Sequence, residues 1–521
     1  MSLPGTPTFV ANQILTAAHL QQLVDAVVDK HDGAIGPEDL VWPLVAAGNI
    51  DMADYELLNV PKFWDVYNLA ERTSAQSVQD VLDLCDGGGV AFIPPNTSIA
   101  GDALTIHPNT ILLGCGESSE LVAPATASDH LLANDAAEDS HIWIMNVRFD
   151  GDAVGSGVYS GLALERAYNV HVVRCHFSGF MAAQLLVTND GTPGQESREV
   201  YVDRCEFDQP GAAVAQLRFD DVDGLYVSGC RFYDPEDRAI YSLVANTNQV
   251  IRDVYITHNR FYCDLSNVTN AAIDIQGGFN PDATTLGKRN SLYIEYNTLK
   301  GNNQNSHARI AVHQWGEFRV NSNKIRDCES TYPSIQIQDA MLFACDSNEI
   351  TQVHGDGIVI GSTGDYHAYD VPRGTNPCSE FSCSRNRLYG IHFAGIVLLG
   401  TVYTVDGNRI YNVSQETTTR YHGIEFWNVI AAYVFVSAVV TNNVSVDSTA
   451  AAPVQGAGAT TYQGLGYGSV QFSDIGGAGN STDFLFLGND LPGWDQAVAD
   501  WTPDVGNRVI DATQGGGNNI T

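Results

Sequence analysis

Lysine is nearly missing from this chain of 521 residues. It occurs at five positions only, and Lys and Arg together number 26 against 61 Asp and Glu, which gives a formal net charge of −35. A surface of this charge repels nucleic acids and anionic membranes, so neither is expected as a partner. One interpretation of the acidity is a merely soluble surface. The other is a protein from a very salty medium, where a Debye length of roughly 3 Å at 1 M salt screens the self-repulsion.

Signatures of several other protein classes are also missing. No run of 18 apolar residues occurs, so no membrane insertion is expected. The first five residues lack the basic start and apolar core of a secretion signal. The ten cysteines include no C-x-x-C pair, which leaves no zinc signature. Asp150-Gly-Asp152 and Asp221-x-Asp223-Gly are similar to fragments of calcium loops but lack the full ligand set, so no metal and no cofactor are expected.

The sequence does contain one short motif that recurs between residues 141 and 489. It reads apolar-x-apolar-x-x-(Cys or Asn)-x-apolar, and the anchor position is Cys in early copies and Asn in later ones: Cys175, Cys205, Cys230, Asn259, Asn297, Asn323, Asn348, Asn386 and Asn408. Most successive anchors lie 22 to 38 residues apart. Self-similarity at such a period indicates a solenoid.

The spacing of apolar residues predicts the conformation of each repeat. Apolar and polar residues alternate within the motif as they do in strands. A second alternating run, such as Ala272–Ile275 or Ser334–Ile337, precedes each copy of the motif. Two or three short strands per coil predict an all-β, single-stranded parallel β-helix with coils about 4.8 Å apart. Like residues then stack, so that inward Asn side chains hydrogen-bond one another and Cys fills the same place as a buried thiol. Whether Cys378 pairs with Cys383 stays open.

The same pattern divides the chain into four segments. Residues 1–70 precede the repeats and contain a predicted amphipathic helix from Thr16 to Lys30. Residues 71–140 are predicted to form the first coil and its cap, with a short helix from Ala75 to Leu84, and residues 141–446 the parallel β-helix. Residues 447–521 contain a Gly-rich excursion, the last coil and the tail. The apolar stripe of the first helix is expected to pack either on its own chain or on a partner.

The repeats and the segment that precedes them resemble a known protein family. Together with Gly87-Gly-Gly-Val-Ala-Phe-Ile-Pro-Pro95 and Ile111-Leu-Leu-Gly-Cys-Gly116, the repeats are similar to the pectate-lyase-like right-handed β-helix family, which includes many viral tailspikes. The resemblance implies a right-handed helix and a homotrimer. Phe9–Leu20 and Gly48–Asn59 are similar to segments of fibre and tail proteins of tailed viruses, which implies that residues 1–70 bind other tail or baseplate proteins. Abundant Asp with scarce Lys resembles haloarchaeal composition.

Enzymes of that family carry carboxylates on one exposed parallel sheet, which implies that a catalytic site would lie at the outward positions of the upstream strands. The only candidate catalytic cluster consists of Asp274, Asp339 and His313, with three amides around it as binding residues: Gln276, Gln336 and Gln338. Asp274 and Asp339 would lie two coils and about 10 Å apart, at the loose edge of the geometry that inverting glycosidases use. The alternative interpretation is a solvated polar face.

Two further binding candidates lie on the same face. Glu425 and Trp427 would lie five coils beyond Asp274, at roughly 24 Å, so Glu425 cannot form a catalytic pair with it. Trp427, Tyr241 and Trp315 are expected to be exposed and either to stack on sugar rings or to cover a subunit seam. The segment from His354 to Ser362 resembles the His-Gly segment of polygalacturonases, but the Asp pair and the Arg-x-Lys that the family needs are missing here.

These observations favour a virion structural protein, a tail spike or fibre that attaches to a host surface glycan or glycoprotein. Binding is expected on the loops Asn302–His307, Gly364–Pro377 and Thr417–Tyr421, since a rigid scaffold presents its connections. The chain would assemble in the host cytoplasm and act outside the cell as part of the virion. One alternative is a glycan depolymerase, a hydrolase or lyase; another is a passive capsid or tail decoration protein.

Overall fold

The chain divides into two units, Met1–Phe63 and Trp64–Thr521, and the described residues all belong to the second. The computed structural model describes residues 66–446 with gaps at 70–74, 125–128, 136–140, 152–159, 190–194, 209–214, 244–248, 264–270, 278–288, 302–307, 314, 329–331, 362–377, 399, 401, 414–422 and 428–436, together with four strands between residues 468 and 510. The expected helix from Thr16 to Lys30 and the three expected binding loops lie outside these residues.

Short strands form three parallel sheets in which each strand pairs with the equivalent strands of the adjacent coils. Sheet A contains β1 (Val66–Asn68), β2 (Gly89–Phe92), β5 (Thr110–Leu113), β8 (Ile142–Met145), β11 (Tyr168–Val173), β14 (Ser197–Asp203), β17 (Val222–Ser228), β20 (Ile251–Thr257), β23 (Arg289–Glu295), β26 (Phe318–Asn321), β29 (Met341–Ala344), β32 (Ser379–Ser382), β35 (Val402–Asp406), β38 (Ser437–Thr441), β41 (Asp483–Leu487) and β43 (Arg508–Ile510).

The other two sheets repeat in the same way. Sheet B contains β3 (Thr97–Ala100), β6 (Ser119–Val122), β9 (Arg148–Asp150), β12 (His176–Ser178), β15 (Glu206–Asp208), β18 (Arg231–Tyr233), β21 (Arg260–Cys263), β24 (Thr298–Gly301), β27 (Lys324–Cys328), β30 (Glu349–Val353), β33 (Arg387–Ile391), β36 (Arg409–Val413) and β39 (Val444–Val446). Sheet C contains β4 (Leu104–Ile106), β7 (Leu132–Asn134), β10 (Ser160–Glu165), β13 (Ala183–Thr188), β16 (Ala215–Phe219), β19 (Ile240–Leu243), β22 (Ile273–Gln276), β25 (Ile310–His313), β28 (Ile335–Gln338), β31 (Ile358–Ile360), β34 (Ile396–Leu398), β37 (Ile424–Trp427), β40 (Gly468–Ser473) and β42 (Gln496–Asp500).

Each coil therefore runs from sheet C to sheet A to sheet B, and the predicted parallel β-helix is confirmed. The helix α1 (Ala75–Leu84) has the bounds predicted for it and packs against β2 and β4. A 3₁₀ helix covers Gly116–Ser118. The sheets extend from Val66 to Ile510, so strands occupy parts of both flanking segments as well as residues 141–446.

The core between the sheets consists of columns of like residues. Phe149, Phe177, Phe207, Phe232 and Phe261 stack along sheet B with ring centroids 4.7–5.2 Å apart. The predicted Asn ladder is present: from Asn259 to Asn408, each side-chain amide donates to the Oδ1 of the next Asn at 2.9–3.2 Å, and the ladder ends at Asn443. Cys175, Cys205 and Cys230 continue this column as buried thiols, and Cys378 and Cys383 form no disulfide with each other.

Candidate functional site

The outer face of sheet C brings together five of the eight residues that the sequence singled out. Asp274 on β22 is in register with Ala311 and then Gln336, while Gln276 is in register with His313 and then Gln338. Their side chains point away from the core because they alternate with inward residues such as Ile273 and Ile275, which are fully buried. Three consecutive coils thus place a carboxylate, an imidazole and three amides side by side.

Asp274 is bound by its neighbours rather than open to water. It is only 4% exposed. Arg238 Nε donates to its Oδ2 at 2.7 Å, and Gln276 Nε2 lies 3.2–3.3 Å from both carboxylate oxygens. His313 Nε2 lies 3.9 Å from Oδ1, and the other ring nitrogen, Nδ1, lies 3.0 Å from Gln338 Oε1. Arg238 and the adjoining coils therefore cover this outward-pointing carboxylate.

Arginine residues that the sequence reasoning missed complete the cluster. Arg238 also forms an ion pair with Asp237, and its guanidinium lies 4.2 Å from the ring centroid of Tyr241. One coil earlier, Arg218 forms a two-point ion pair with Asp220. Burial raises the pKa of Asp220, although Arg218 opposes this shift. Arg238 precedes its strand by two residues, so strand alternation gives no signal for it.

Arg309 is a buried cation that precedes β25 by one residue. It donates to Gln336 Oε1 at 3.2 Å, and its guanidinium lies 4.5 Å from the ring centroid of Tyr332. Burial lowers its pKa, and the nearby Asp274 carboxylate opposes this shift. Its Nε has no hydrogen-bond partner within the described residues. The cluster therefore contains a buried cation, Arg309, that hydrogen-bonds to one of the amides.

Three predicted site residues lie elsewhere. Asp339 follows Gln338 by one residue, at the turn out of sheet C, with φ 51°, and it is buried. Burial raises the pKa of Cys378 to about 12, and the charge of Asp339 contributes to the increase. Glu425 pairs in register with Val397, five coils beyond Asp274. The side chains of Glu425 and Trp427 lie outside the described part of the structure.

The expectation that Tyr241 and Trp315 are exposed aromatics is wrong. Trp315 is fully buried between β25 and β26, where it packs in the core. Tyr241 does point outward from sheet C, yet it is 7% exposed because Arg238 covers its ring. Neither ring is open to a sugar. The aromatic residues most exposed among those described include Tyr296 and Tyr389, which lie away from sheet C.

The chemistry of the cluster follows from these contacts. Hydrolysis of a glycosidic bond by paired carboxyl groups needs one to give or take a proton, whereas Asp220, Asp237 and Asp274 each form an ion pair with arginine. Amides, imidazole and guanidinium groups can instead exchange hydrogen bonds with hydroxyl groups. Within the described residues, no group of three His, Cys, Asp or Glu side chains is placed to hold a metal ion, and no helix is long and apolar enough to cross a bilayer.

No protein-family model matches the chain, and no curated protein sequence matches it. Among solved structures, the A-module of mannuronan C-5 epimerase AlgE4 from Azotobacter vinelandii is 12% identical, with 85% of this chain and 100% of that chain covered and a TM-score of 0.35. A family 28 exopolygalacturonase of Yersinia enterocolitica is 11% identical over 85% of this chain and 79% of its own, with a TM-score of 0.40. The tailspike of E. coli bacteriophage HK620, in complex with a pentasaccharide, is 12% identical over 81% and 68%, with a TM-score of 0.43. At these values the assignment of the fold rests on the strand register described above.

Proposed function

We propose that this chain is a tail spike or fibre of a tailed virus and that it attaches the virion to a glycan on the host cell surface by contact alone. The observation that carries this proposal is the state of the sheet C cluster. Asp220, Asp237 and Asp274 are each bound by an arginine, while Gln276, His313 and Gln336 are partly exposed and have side chains that can hydrogen-bond to hydroxyl groups. Such a surface can hold sugar hydroxyl groups and is poorly arranged for proton transfer.

The fold suits this role. A parallel β-helix is a long rigid scaffold, and attachment needs a recognition surface held at a fixed position. In the cluster, Gln276, His313 and Gln336 keep partly exposed side chains and would meet a glycan first. The abundance of carboxylates supports a virus of salt-rich surroundings, since salt screens their mutual repulsion. Trimer formation and attachment to the virion through residues 1–70 belong to the same proposal.

Attachment is tested by measuring the binding of labelled full-length protein to haloarchaeal cells before and after periodate oxidation of their surface glycans. We expect saturable binding that oxidation abolishes, and about tenfold weaker binding for His313→Ala combined with Gln336→Ala. Thr404→Ala, an exposed change on sheet A, is the control and should leave binding unchanged. Binding that survives oxidation, or that both variants weaken equally, contradicts the proposal.

A second candidate function, depolymerisation, is favoured by one specific observation. Burial raises the pKa of Asp220, which is the direction that a general acid needs. Arg218, Tyr241 and Asp274 occupy equivalent outward positions of three successive coils, so Tyr241 lies between Asp274 and the arginine that pairs with Asp220. If the protein cleaves its glycan, Asp274→Asn should abolish the release of reducing or unsaturated ends. Absence of such ends with wild-type protein excludes this function.

A further inference from the structure

The outer face of sheet B between β18 and β36 carries a net positive charge, opposite in sign to the net charge of the chain. From β18 to β36, the outward positions of seven successive strands hold only two carboxylates, Asp327 and Glu349, and seven cations: Arg231, Arg260, Lys300, Lys324, Arg326, Arg387 and Arg409. The whole chain has 26 cations and 61 carboxylates. We call these seven outward-facing strands the basic face.

Ion pairing within the fold does not account for this charge. Arg231 pairs with Glu206, and Lys324 lies 3.5 Å from Glu349. The other five cations of the basic face form no ion pair within the described residues. Exposed ion pairs contribute little to stability in any case. The face therefore keeps positive charge that the β-helix does not need for its own folding.

The cations are arranged in a narrow stripe along the helix axis. Arg231 and Arg260 are in direct register, and Lys324, Glu349, Arg387 and Arg409 continue the same column two coils later. Steps of about 4.8 Å between strands give the stripe a length of roughly 30 Å, while two outward positions per strand make it only about 7 Å wide. A stripe of these proportions fits one extended polymer chain better than a planar surface.

Tyrosine residues stand in the second column of the same stripe. Tyr233 and Tyr262 stack with their ring centroids 5.1 Å apart, and Tyr389 and Tyr411 are in register further along. Tyr389 is 47% exposed. Tyrosine offers an apolar ring beside a hydroxyl group, a combination that suits sugar rings. The guanidinium and phenol groups that lie side by side on β18, β21, β33 and β36 thus provide contacts for both the charge and the ring of an acidic sugar.

We propose that the basic face binds a linear anionic polysaccharide, with its carboxylate or sulfate groups on the arginines and its sugar rings along the tyrosines. This inference rests on the proposed attachment function and names the class of glycan. A double-stranded nucleic acid or a bilayer is much wider than the stripe, and the chain's net charge of −35 opposes binding of either one.

The test compares binding of the intact chain to polygalacturonate and to dextran of similar size at about 0.15 M salt, where the Debye length is about 8 Å. We expect polygalacturonate alone to bind. Arg260→Gln, Arg387→Gln and Arg409→Gln together should weaken that binding at least about tenfold, because each guanidinium group supplies charge-assisted hydrogen bonds. A control triple, Arg174→Gln, Arg204→Gln and Arg319→Gln, changes the net charge equally at exposed positions outside the basic face and should change affinity less than twofold.

Three results would overturn the inference: equal binding of dextran, equal losses in the two triple variants, or tighter binding of phosphatidylglycerol vesicles with the same dependence on Arg260, Arg387 and Arg409. Failure here is distinguishable from failure of the attachment function. Protein that binds cells through their glycans but does not bind polygalacturonate retains the attachment function and loses the basic-face assignment. Protein that binds polygalacturonate but no cells retains the basic-face assignment and loses the attachment function.

Discussion

At the scale of single residues, the Asn ladder shows how one repeated side chain fixes the stacking of coils. Oδ1 of Asn323 accepts the backbone N–H and the side-chain amide of Asn297, both at 3.1 Å. Its own amide donates to Ile294 O at 2.8 Å and to Asn348 Oδ1 at 3.2 Å. All of these groups are buried, where an unmet hydrogen bond costs about 1–3 kcal/mol. Each Asn therefore stabilises two junctions between coils.

Replacing one member of the ladder should cost more than replacing a Cys at the equivalent position. Asn323→Ala leaves two buried donors of Asn297 without an acceptor, so we expect the unfolding free energy to fall by about 2–4 kcal/mol. Cys205→Ala removes only weak thiol contacts with Val172 O and Asp203 O at 3.4 and 3.6 Å and should cost less. Denaturant unfolding midpoints measure both. A Cys205→Ala loss as large as that of Asn323→Ala would contradict this ranking.

The aromatic column on the outside of sheet A stabilises the fold in a different way. His171 lies between Trp143 and Tyr201, with ring centroids 3.7 and 4.6 Å away. Stacked rings cover one another's faces, so this column is unsuited to stacking on sugars. Burial lowers the pKa of His171 to about 4 from an ordinary value of 6.5, because the protonated ring is poorly solvated there.

This shift predicts a pH dependence with a definite sign. The folded pKa is depressed, so below pH 6.5 the unfolded chain binds a proton that the folded chain does not, and stability falls until about pH 4. His171→Phe keeps a ring in the column and should reduce this loss, as measured by unfolding midpoints from pH 7.5 to pH 4. Asp221, whose pKa burial raises to about 6, contributes with the opposite sign, so the difference between variant and wild type is the relevant quantity. Identical pH profiles of stability for His171→Phe and the wild type would contradict the assignment of this pH dependence to His171.

At the scale of elements, α1 closes the first coil. Val78, Val81 and Leu82 are buried against β2 and β4, while Leu84 on the same helix is 56% exposed. The helix thereby covers apolar residues at the beginning of the sheets, where exposed strand edges invite pairing with other chains.

A matched pair of substitutions separates these roles. Leu82→Asp places a charge in the packed interface and should loosen α1, lower the unfolding midpoint and promote aggregation, visible as light scattering on mild heating. Leu84→Asp makes the same chemical change on the exposed side of α1 and should leave both readouts unchanged. Equal effects of the two substitutions would show that α1 does not protect the end of the β-helix.

The sequence predicts the strands, the ladder and α1 because each depends on local periodicity. Asn297 and Asn323 are recognisable from their position in the recurring motif. The register that brings Asp274, His313 and Gln338 together follows from counting coils. The partners of Asp274 could not be found in this way. Arg238 and Arg309 precede their strands, and the burial of Tyr241 and Trp315 depends on side chains from other coils. The basic face is visible only once β18 to β36 are known to lie side by side.

At the scale of the whole molecule, self-repulsion is the dominant electrostatic effect. A net charge of −35 destabilises the compact state unless salt screens it. We expect the unfolding midpoint to rise steadily as KCl increases from about 0.1 M to about 2 M. A midpoint that falls or stays constant over that range would contradict an adaptation to salt.

The central claim is that this β-helix binds a surface glycan without cutting it. The most direct measurement incubates the intact protein in high salt with cell-envelope polysaccharide from haloarchaeal cells, and determines bound protein and newly formed reducing or unsaturated ends in the same sample. We predict binding with no new ends, because Asp220, Asp237 and Asp274 are each engaged by an arginine. Release of ends that Asp274→Asn abolishes would contradict the claim and make the protein a depolymerase.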